Sequence, residues 1–362
     1  MMCCLSGGSN AQRPEAARGG ARKARIKNTR GGDFMKIRSL MAACLFGLVA
    51  ATPLTTMADD AGDYPNRAVR IIVPYPAGGS TDILTRLLAQ GLTQRWGQPV
   101  VVENRGGASG IIGNEAAARA EPDGYTLLMN GSGPHVVNIS LFDKLPYHPV
   151  KDFVPIVLGM TIPLLMVAPA DAPYSDVKSF IAWAKKNPDT ANYCSIGPGS
   201  PSHLAGELFK SMSGLTHLTH VPYKGSGPAI IDTIGGTCDM MFDAALSSGP
   251  QVKNGKMKLL AIGTAQRDPS WPDTPTVAES GLPGFSAYTW SGLIAPAGVP
   301  PAIVKKIQDD ANVVLRSPEV KDALQKQGAQ AGGGTSEELG KFVDSEIAKW
   351  AKVIKDSNIT VN

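Results

Sequence analysis

Residues 69–82 read Val-Arg-Ile-Ile-Val-Pro-Tyr-Pro-Ala-Gly-Gly-Ser-Thr-Asp, and this stretch decides the fold class. The run 69–74 (VRIIVP) is short, apolar and rich in β-branched residues, which makes it a buried strand. From Ser80 onward, apolar residues recur at Ile83, Leu84, Leu87, Leu88 and Leu92, the stripe of an amphipathic helix. Between the two lies a Gly-rich turn. Strand, Gly-rich loop and helix in that order are the opening of an α/β domain with a parallel sheet.

Downstream the same alternation continues. Val100 to Val102 is a second strand, Gly106 to Arg119 a Gly-led, Ala-rich helix, and Tyr125 to Met129 a third strand. Val154 to Ala168 is apolar but interrupted by Pro155 and Pro163, so it reads as a strand crossing between domains rather than one helix. A second α/β unit follows. Its strands are expected at Tyr193–Ile196, Thr219–Tyr223, Asp239–Phe242 and Lys258–Ile262, and its helices at Asp176–Lys186, Pro201–Met212 and Pro228–Ile234. Tyr288 to Ala295 is a second crossing. The C-terminal part holds a helix from Pro301 and another from the capping box Thr335-x-x-Glu338. Two crossings imply one domain built from both chain ends (59–160 and 286–362) and a second inserted between them (161–285), with a ligand cleft between the two.

Ahead of this body stands a leader. Lys36 and Arg38 precede a 12-residue apolar stretch, Leu40 to Ala51, and Thr56-Met57-Ala58 supplies the small residues of a cleavage site. Residues 35–58 therefore read as a secretory signal peptide cut after Ala58, directing the protein to the periplasm. Residues 1–34 are rich in Arg and Gly without hydrophobic periodicity, and read as an over-extended or disordered N-terminus. No run in the chain reaches the roughly 20 apolar residues of a membrane span.

The formal net charge of +4 is an effect of the leader. Residues 1–58 carry nine Lys or Arg against two acids, and the remaining 304 residues carry 26 basic against 29 acidic. A mildly acidic body lacks the basic face of a nucleic-acid binder. Of five cysteines only Cys194 and Cys238 follow the cleavage point, too few for a zinc site, and neither CxxC nor HExxH is present. No cofactor and no metal are expected. In an oxidising compartment Cys194 and Cys238 form either a disulfide or two buried free thiols.

Four junctions carry the chemistry. The first is the loop Ala77, Gly78, Gly79, Ser80, Thr81, Asp82, where glycines admit a ligand close to the backbone and the first helical N–H groups face the sheet mouth. The second is Gly197, Gly199, Ser200, Ser202, His203, with Ser200 as N-cap and Pro201 at the first helical position. The third places Tyr223 and Lys224 at a strand end, and the fourth Asp243. His135 is a further candidate contact, set against the plainer reading of a solvated loop histidine, and Trp290 either walls the cleft or belongs to the core. GxxxxGK[ST] and GxSxG are absent, and Gly107-x-x-Gly110-x-x-Gly113 does not match the dinucleotide fingerprint. An α/β hydrolase or isomerase using Cys194, Ser195 and His203 stays open as the enzymatic alternative, with no catalytic residue assigned otherwise.

Six colinear segments give the chain a family resemblance: YPNRAVRIIVPYPAGGSTD (64–82), VVENRGGASGIIGNEAAARAEPDGYTLL (101–128), LPYHPVKDFVPI (145–156), GPGSPSHLAGELFK (197–210), HVPYKGSGPAI (220–230) and WSGLIAPAGVP (290–300). In these it resembles the periplasmic solute-binding proteins of tripartite tricarboxylate transporters, the Bug or TctC-like receptors. The resemblance implies a Venus-flytrap fold and a carboxylate held between the domains by 77–82 and 197–203. It also implies a non-enzymatic role: capture of a small carboxylated solute for the membrane subunits of such a transporter, by a monomer. A sensory receptor on the same fold is the other alternative. Ala77 replaces a commoner Pro and Ser80 a commoner Gly, and 129–138, where ligand identity is partly read, is less family-like.

Overall fold

The computed structural model describes residues 61–360; the signal peptide, the segment before it and the cleavage site lie outside the described residues. Among the described residues, ten strands and ten α-helices follow one another. The first part contains β1 (Val69–Val73), α1 (Ser80–Trp96), β2 (Val100–Asn104), α2 (Ile111–Ala118), β3 (Thr126–Gly131) and α3 (Asn138–Leu141). Then come β4 (Phe153–Pro169), α4 (Val177–Lys186), β5 (Asn192–Ser195), α5 (Pro201–Ser213), β6 (Thr219–Pro222) and α6 (Ser226–Ile234). The remainder is β7 (Met241–Ala244), α7 (Ala245–Lys253), β8 (Met257–Ile262), β9 (Tyr288–Pro296), α8 (Pro301–Leu315), α9 (Pro318–Gln325), β10 (Gln330–Gly333) and α10 (Ser336–Asp356). No helix among the described residues is long and apolar enough to cross a membrane.

The strands run in the order β2-β1-β3-β9-β4-β7-β5-β6, with β8 and β10 also on β4. β1 pairs in parallel with β2 and β3, and β5 in parallel with β6 and β7. The 17-residue β4 is the element common to both halves. Its residues 153–163 pair with β9, and residues 164–169 pair antiparallel with β7 and β8. The crossing strand expected from the sequence is thus one continuous strand. Pro155 is accommodated because the β4–β9 register shifts next to it, where the backbone bulges, and Pro163 stands at the last pair of that ladder, opposite Tyr288.

Packing follows the periodicity. Ile71, Ile72 and Val73 are fully buried, as a parallel strand covered on both faces requires. The α1 stripe delivers Leu84, Leu88 and Leu92 into the same core, while Ile83 and Leu87 sit half-buried at its margin. The Thr335–Glu338 capping box forms in both directions, with Glu338 N–H donating to Thr335 Oγ1 at 3.1 Å and Thr335 N–H to Glu338 Oε2 at 2.7 Å. Cys194 and Cys238 are joined by a disulfide, with Cα atoms 5.8 Å apart, which resolves the two open readings in favour of the bond. The sequence reading omitted α3, α7, α9 and β10.

Candidate functional site

A cavity of about 820 Å³ lies where the post-strand loops converge. Its walls come from the segments after β1, β2, β3, β5 and β7, and its floor from Ile162 of β4 and Thr289, Trp290 and Ser291 of β9. Loops at the carboxyl ends of parallel strands are where open α/β sheets bind ligands, because helix N-termini point back at the opening. Among the described residues, no Lys, Arg, His, Asp or Glu lines this cavity.

On the β1 side, α1 starts without a side-chain cap. Its N-cap is Gly79, and the first helical bond runs from Ile83 N–H to Gly79 C=O at 3.0 Å. The amides of Ser80, Thr81 and Asp82 precede that bond, so they have no partner within the helix. Asp82 turns away from the opening. Its carboxylate accepts from Gly78 N–H (2.9 Å), Arg86 Nε (3.0 Å) and Asn104 Nδ2 (2.9 Å). Burial pushes this carboxyl up, but the bonds from Arg86, Gly78 and Asn104 outweigh it and hold it below the usual carboxylate range. Thr81 Oγ1 and Ser291 Oγ share a hydrogen bond of 2.9 Å, tying α1 to β9 across the floor.

Beside this loop, Gly107, Ala108, Ser109 and Gly110 all have positive φ (117°, 46°, 54° and 83°). Two non-glycine residues in the left-handed region cost about 1–3 kcal/mol each, and such strain persists only when the surroundings impose it. Here Asn138 Nδ2 holds Ser109 C=O at 3.0 Å, and Asn114 Nδ2 holds Gly110 C=O at 2.9 Å. Asn114 Oδ1 in turn accepts from Asn130 Nδ2 at 2.6 Å, and Asn130 Nδ2 meets His135 Nδ1 at 3.0 Å.

The opposite wall is built differently. Ser200 Oγ caps α5 by accepting His203 N–H at 3.2 Å and donates to Gly197 C=O at 2.6 Å. Gly199 N–H is taken by His203 Nδ1 at 3.1 Å, and Gly197 N–H by Ser195 Oγ at 3.1 Å. Ser195 Oγ also meets His220 Nε2 at 2.7 Å, and the His203 and His220 rings stack at 3.9 Å. Burial lowers the pKa of both, to about 4 for His220, where the neighbouring His203 adds to the effect. Both rings are therefore neutral at pH 7, as an acceptor Nδ1 on His203 requires.

The structure brings Ala77, Gly79, Ser80, Thr81, Gly197, Gly199 and Ser200 into the cavity wall. Gly78, Asp82 and His203 stand just behind it and brace those loops. Ser202 donates to Phe242 C=O and is buried. Tyr223 donates to Asp232 at 2.6 Å and Lys224 is exposed, so neither reaches the lining. Asp243 is buried behind Ala244; Ser226 Oγ donates to its Oδ1 at 2.7 Å and Oδ2 has no hydrogen-bond partner. Burial raises its pKa against the pull of Ser226, Ala244, Ser247 and Ser248. His135 does not line the cavity: it is 3% exposed and packs edge-on against Phe153 and Trp290. Apolar neighbours took the ring inward because its single needed partner, Asn130, is also in the core.

Ser109, Phe142, Ser247 and Ser291 were not singled out in the sequence, and Ser132 and Asn138 entered only within the segment 129–138; all six line the cavity. The Gly107-x-x-Gly110 spacing was a usable signal for Ser109, but it was weighed only as a failed dinucleotide motif. The enzymatic alternative loses its parts: Cys194 is in the disulfide, and Ser195 is fully buried and bonded to His220 instead of His203.

Comparison with known proteins agrees with this architecture. Residues 84–359 match the family described as tripartite tricarboxylate transporter family receptor. BugT of Bordetella pertussis is 36% identical over 324 residues, covering 89% of this chain and 98% of that protein. Rpa4515 of R. palustris, solved with adipate, is 35% identical with a TM-score of 0.70, covering 82% of this chain and 99% of that one. MatC (Rpa3494) of Rhodopseudomonas palustris, solved with malate, is 35% identical with a TM-score of 0.66, covering 80% and 100%. The fold is that of the two-domain α/β periplasmic binding proteins, and these relatives are solute-binding receptors, not enzymes.

Proposed function

The chain belongs to the tripartite tricarboxylate transporter receptor family, and we propose that it captures a small carboxylated solute in the periplasm and delivers it to the membrane subunits of such a transporter. The observation that carries the reading is the uncapped start of α1 at a cavity without charged side chains. The first-turn amides of Ser80 and Thr81 and the Thr81–Ser291 hydroxyl pair offer an anion donors at the cavity wall, where a neutral solute gains hydrogen bonds without the charge that the helix end favours. A helix N-terminus favours an anion by about 0.3–1 kcal/mol, up to about 2 when partly buried. Hydrogen bonds to a charged group add roughly 1.5–3 kcal/mol each. The solutes of the relatives, adipate and malate, are both carboxylates.

The same reading takes 59–160 with 286–362 as one domain and 161–285 as the other, closing as a monomer about residues 156–166 and 288–294. Residues 35–58 act as the export signal, so the mature protein begins at Asp59, which intact mass after export checks. A thermal-shift screen of carboxylates tests the function, because a ligand of the native state alone raises apparent stability. A saturable shift with one or more carboxylates is expected. A response confined to uncharged solutes would overturn the reading.

A further inference from the structure

The two walls of the cavity are not equivalent, and their difference specifies the ligand further. We infer that the solute is an amphipathic monocarboxylate, with one charged end at α1 and an apolar body extending toward the β5 and β7 loops. This rests on the carboxylate reading above and narrows it.

Three observations converge. The first is that donors for an anion are concentrated at one end. The α1 start has Gly79 as N-cap and no side-chain acceptor, and the Asp82 charge behind it is matched by Arg86, Asn104 and Gly78 N–H.

The second is that the β5 side of the facing wall has already used its donors, while the start of α7, which has no side-chain cap and lines the cavity through Leu246 and Ser247, has the Asp243 carboxyl directly before its N-cap Ala244. α5 is capped by its own Ser200, and Pro201 at its first position has no N–H. The amides of Gly197 and Gly199 are held by Ser195 and His203. Asn138 uses one of its two Nδ2 hydrogens on Ser109 C=O. Behind Ala244 sits the buried Asp243, whose carboxyl would repel a second anionic end when ionised. Among the described residues, no cationic side chain lines the cavity to offset a second charge.

The third is the nature of the surface that remains. Tyr75, Leu141, Phe142, Ile162, Ile196 and Leu246 contribute apolar groups from five different segments. Apolar area of this kind rewards a hydrocarbon body and gives a second carboxylate nothing to replace its water. At about 820 Å³ the space exceeds what a carboxylate group alone would fill, so the body must provide most of the contact.

The test uses matched pairs that differ only in the second carboxylate: hexanoate against adipate, and benzoate against terephthalate, with malate and citrate alongside, by calorimetry at pH 7. The expected result is that a monocarboxylate binds at least tenfold more tightly than its dicarboxylate partner. Tighter binding of adipate, terephthalate, malate or citrate overturns this inference and leaves the carboxylate reading standing. No binding across the whole panel contradicts the carboxylate reading itself, and the inference with it. A second variant locates the far end. Leu246 is 41% exposed and lines the facing wall, so Leu246→Lys places a cation there without disturbing the core. It should raise the affinity for the dicarboxylate relative to its partner by about tenfold. An unchanged ratio would show that the far end does not point to that wall, and the proposed orientation would be wrong.

Discussion

Acidification should loosen the cavity wall, with His135 as the group whose share can be isolated. His135 is fully enclosed, its Nδ1 faces Asn130 Nδ2 at 3.0 Å, and the amide chain Asn130–Asn114 continues to Gly110 C=O at the cavity edge. Burial lowers the His135 pKa from 6.5 to about 4. The unfolded chain binds the proton at the higher pH, so stability from this group is complete above about pH 6.5 and is lost as pH falls toward 4. A shift of that size corresponds to about 2 kcal/mol of lost stability between pH 7 and pH 4.5. His203 and His220 shift in the same direction and add to the loss. Urea unfolding of the wild type and of His135→Gln at the two pH values measures it. The variant cannot titrate there, so its loss between the two pH values should be smaller by about 2 kcal/mol. Equal losses in the two proteins, or a His135 pKa near 6.5 by NMR, would refute the reasoning.

Three other expectations follow from the same geometry. Replacing Cys194 and Cys238 by Ala opens a loop with a sequence separation of 44 and should cost about 4 kcal/mol in unfolding free energy, with no free thiol titrating in the unreduced, unfolded wild type. Ser200→Ala removes both the α5 cap and the bond to Gly197 C=O and should lower stability by roughly 1–2 kcal/mol; Thr81→Val breaks the bond to buried Ser291, so it should lower stability by roughly 1 kcal/mol and also weaken ligand binding by roughly twofold to tenfold. Small-angle scattering should show compaction when a confirmed ligand saturates the protein, and an identical profile with and without it would count against closure about β4.

What could be read from the chain divides along physical lines. β1 and α1 were legible because a β-branched run and a 3.6-residue stripe both report burial directly. β4 was legible as a crossing because a 15-residue apolar stretch with two prolines suits a bulged strand better than a helix. α7 was hidden by Gly249 and Pro250 inside it, and β10 by its composition, Gln-Ala-Gly-Gly. At the site, loops adjoining a clear strand–helix junction were found. Ser247 and Ser291 were not, because a serine near a strand end carries no local sign of which cavity it borders. The two Gly/Ser loops looked alike in sequence, each with glycines and hydroxyls before a helix. Only the structure separates them: α5 satisfies its own start through Ser200, and α1 leaves its start open.

That open start is the central claim, and it is tested most directly by calorimetry on a confirmed ligand and its primary amide at pH 7. The two differ little in size and shape, but only the acid offers a charge to the amides of Ser80 and Thr81. A charged hydrogen bond is worth roughly 1.5–3 kcal/mol, and about 1.4 kcal/mol is tenfold in affinity, so the amide should bind at least tenfold more weakly. Equal affinity for acid and amide would contradict the account.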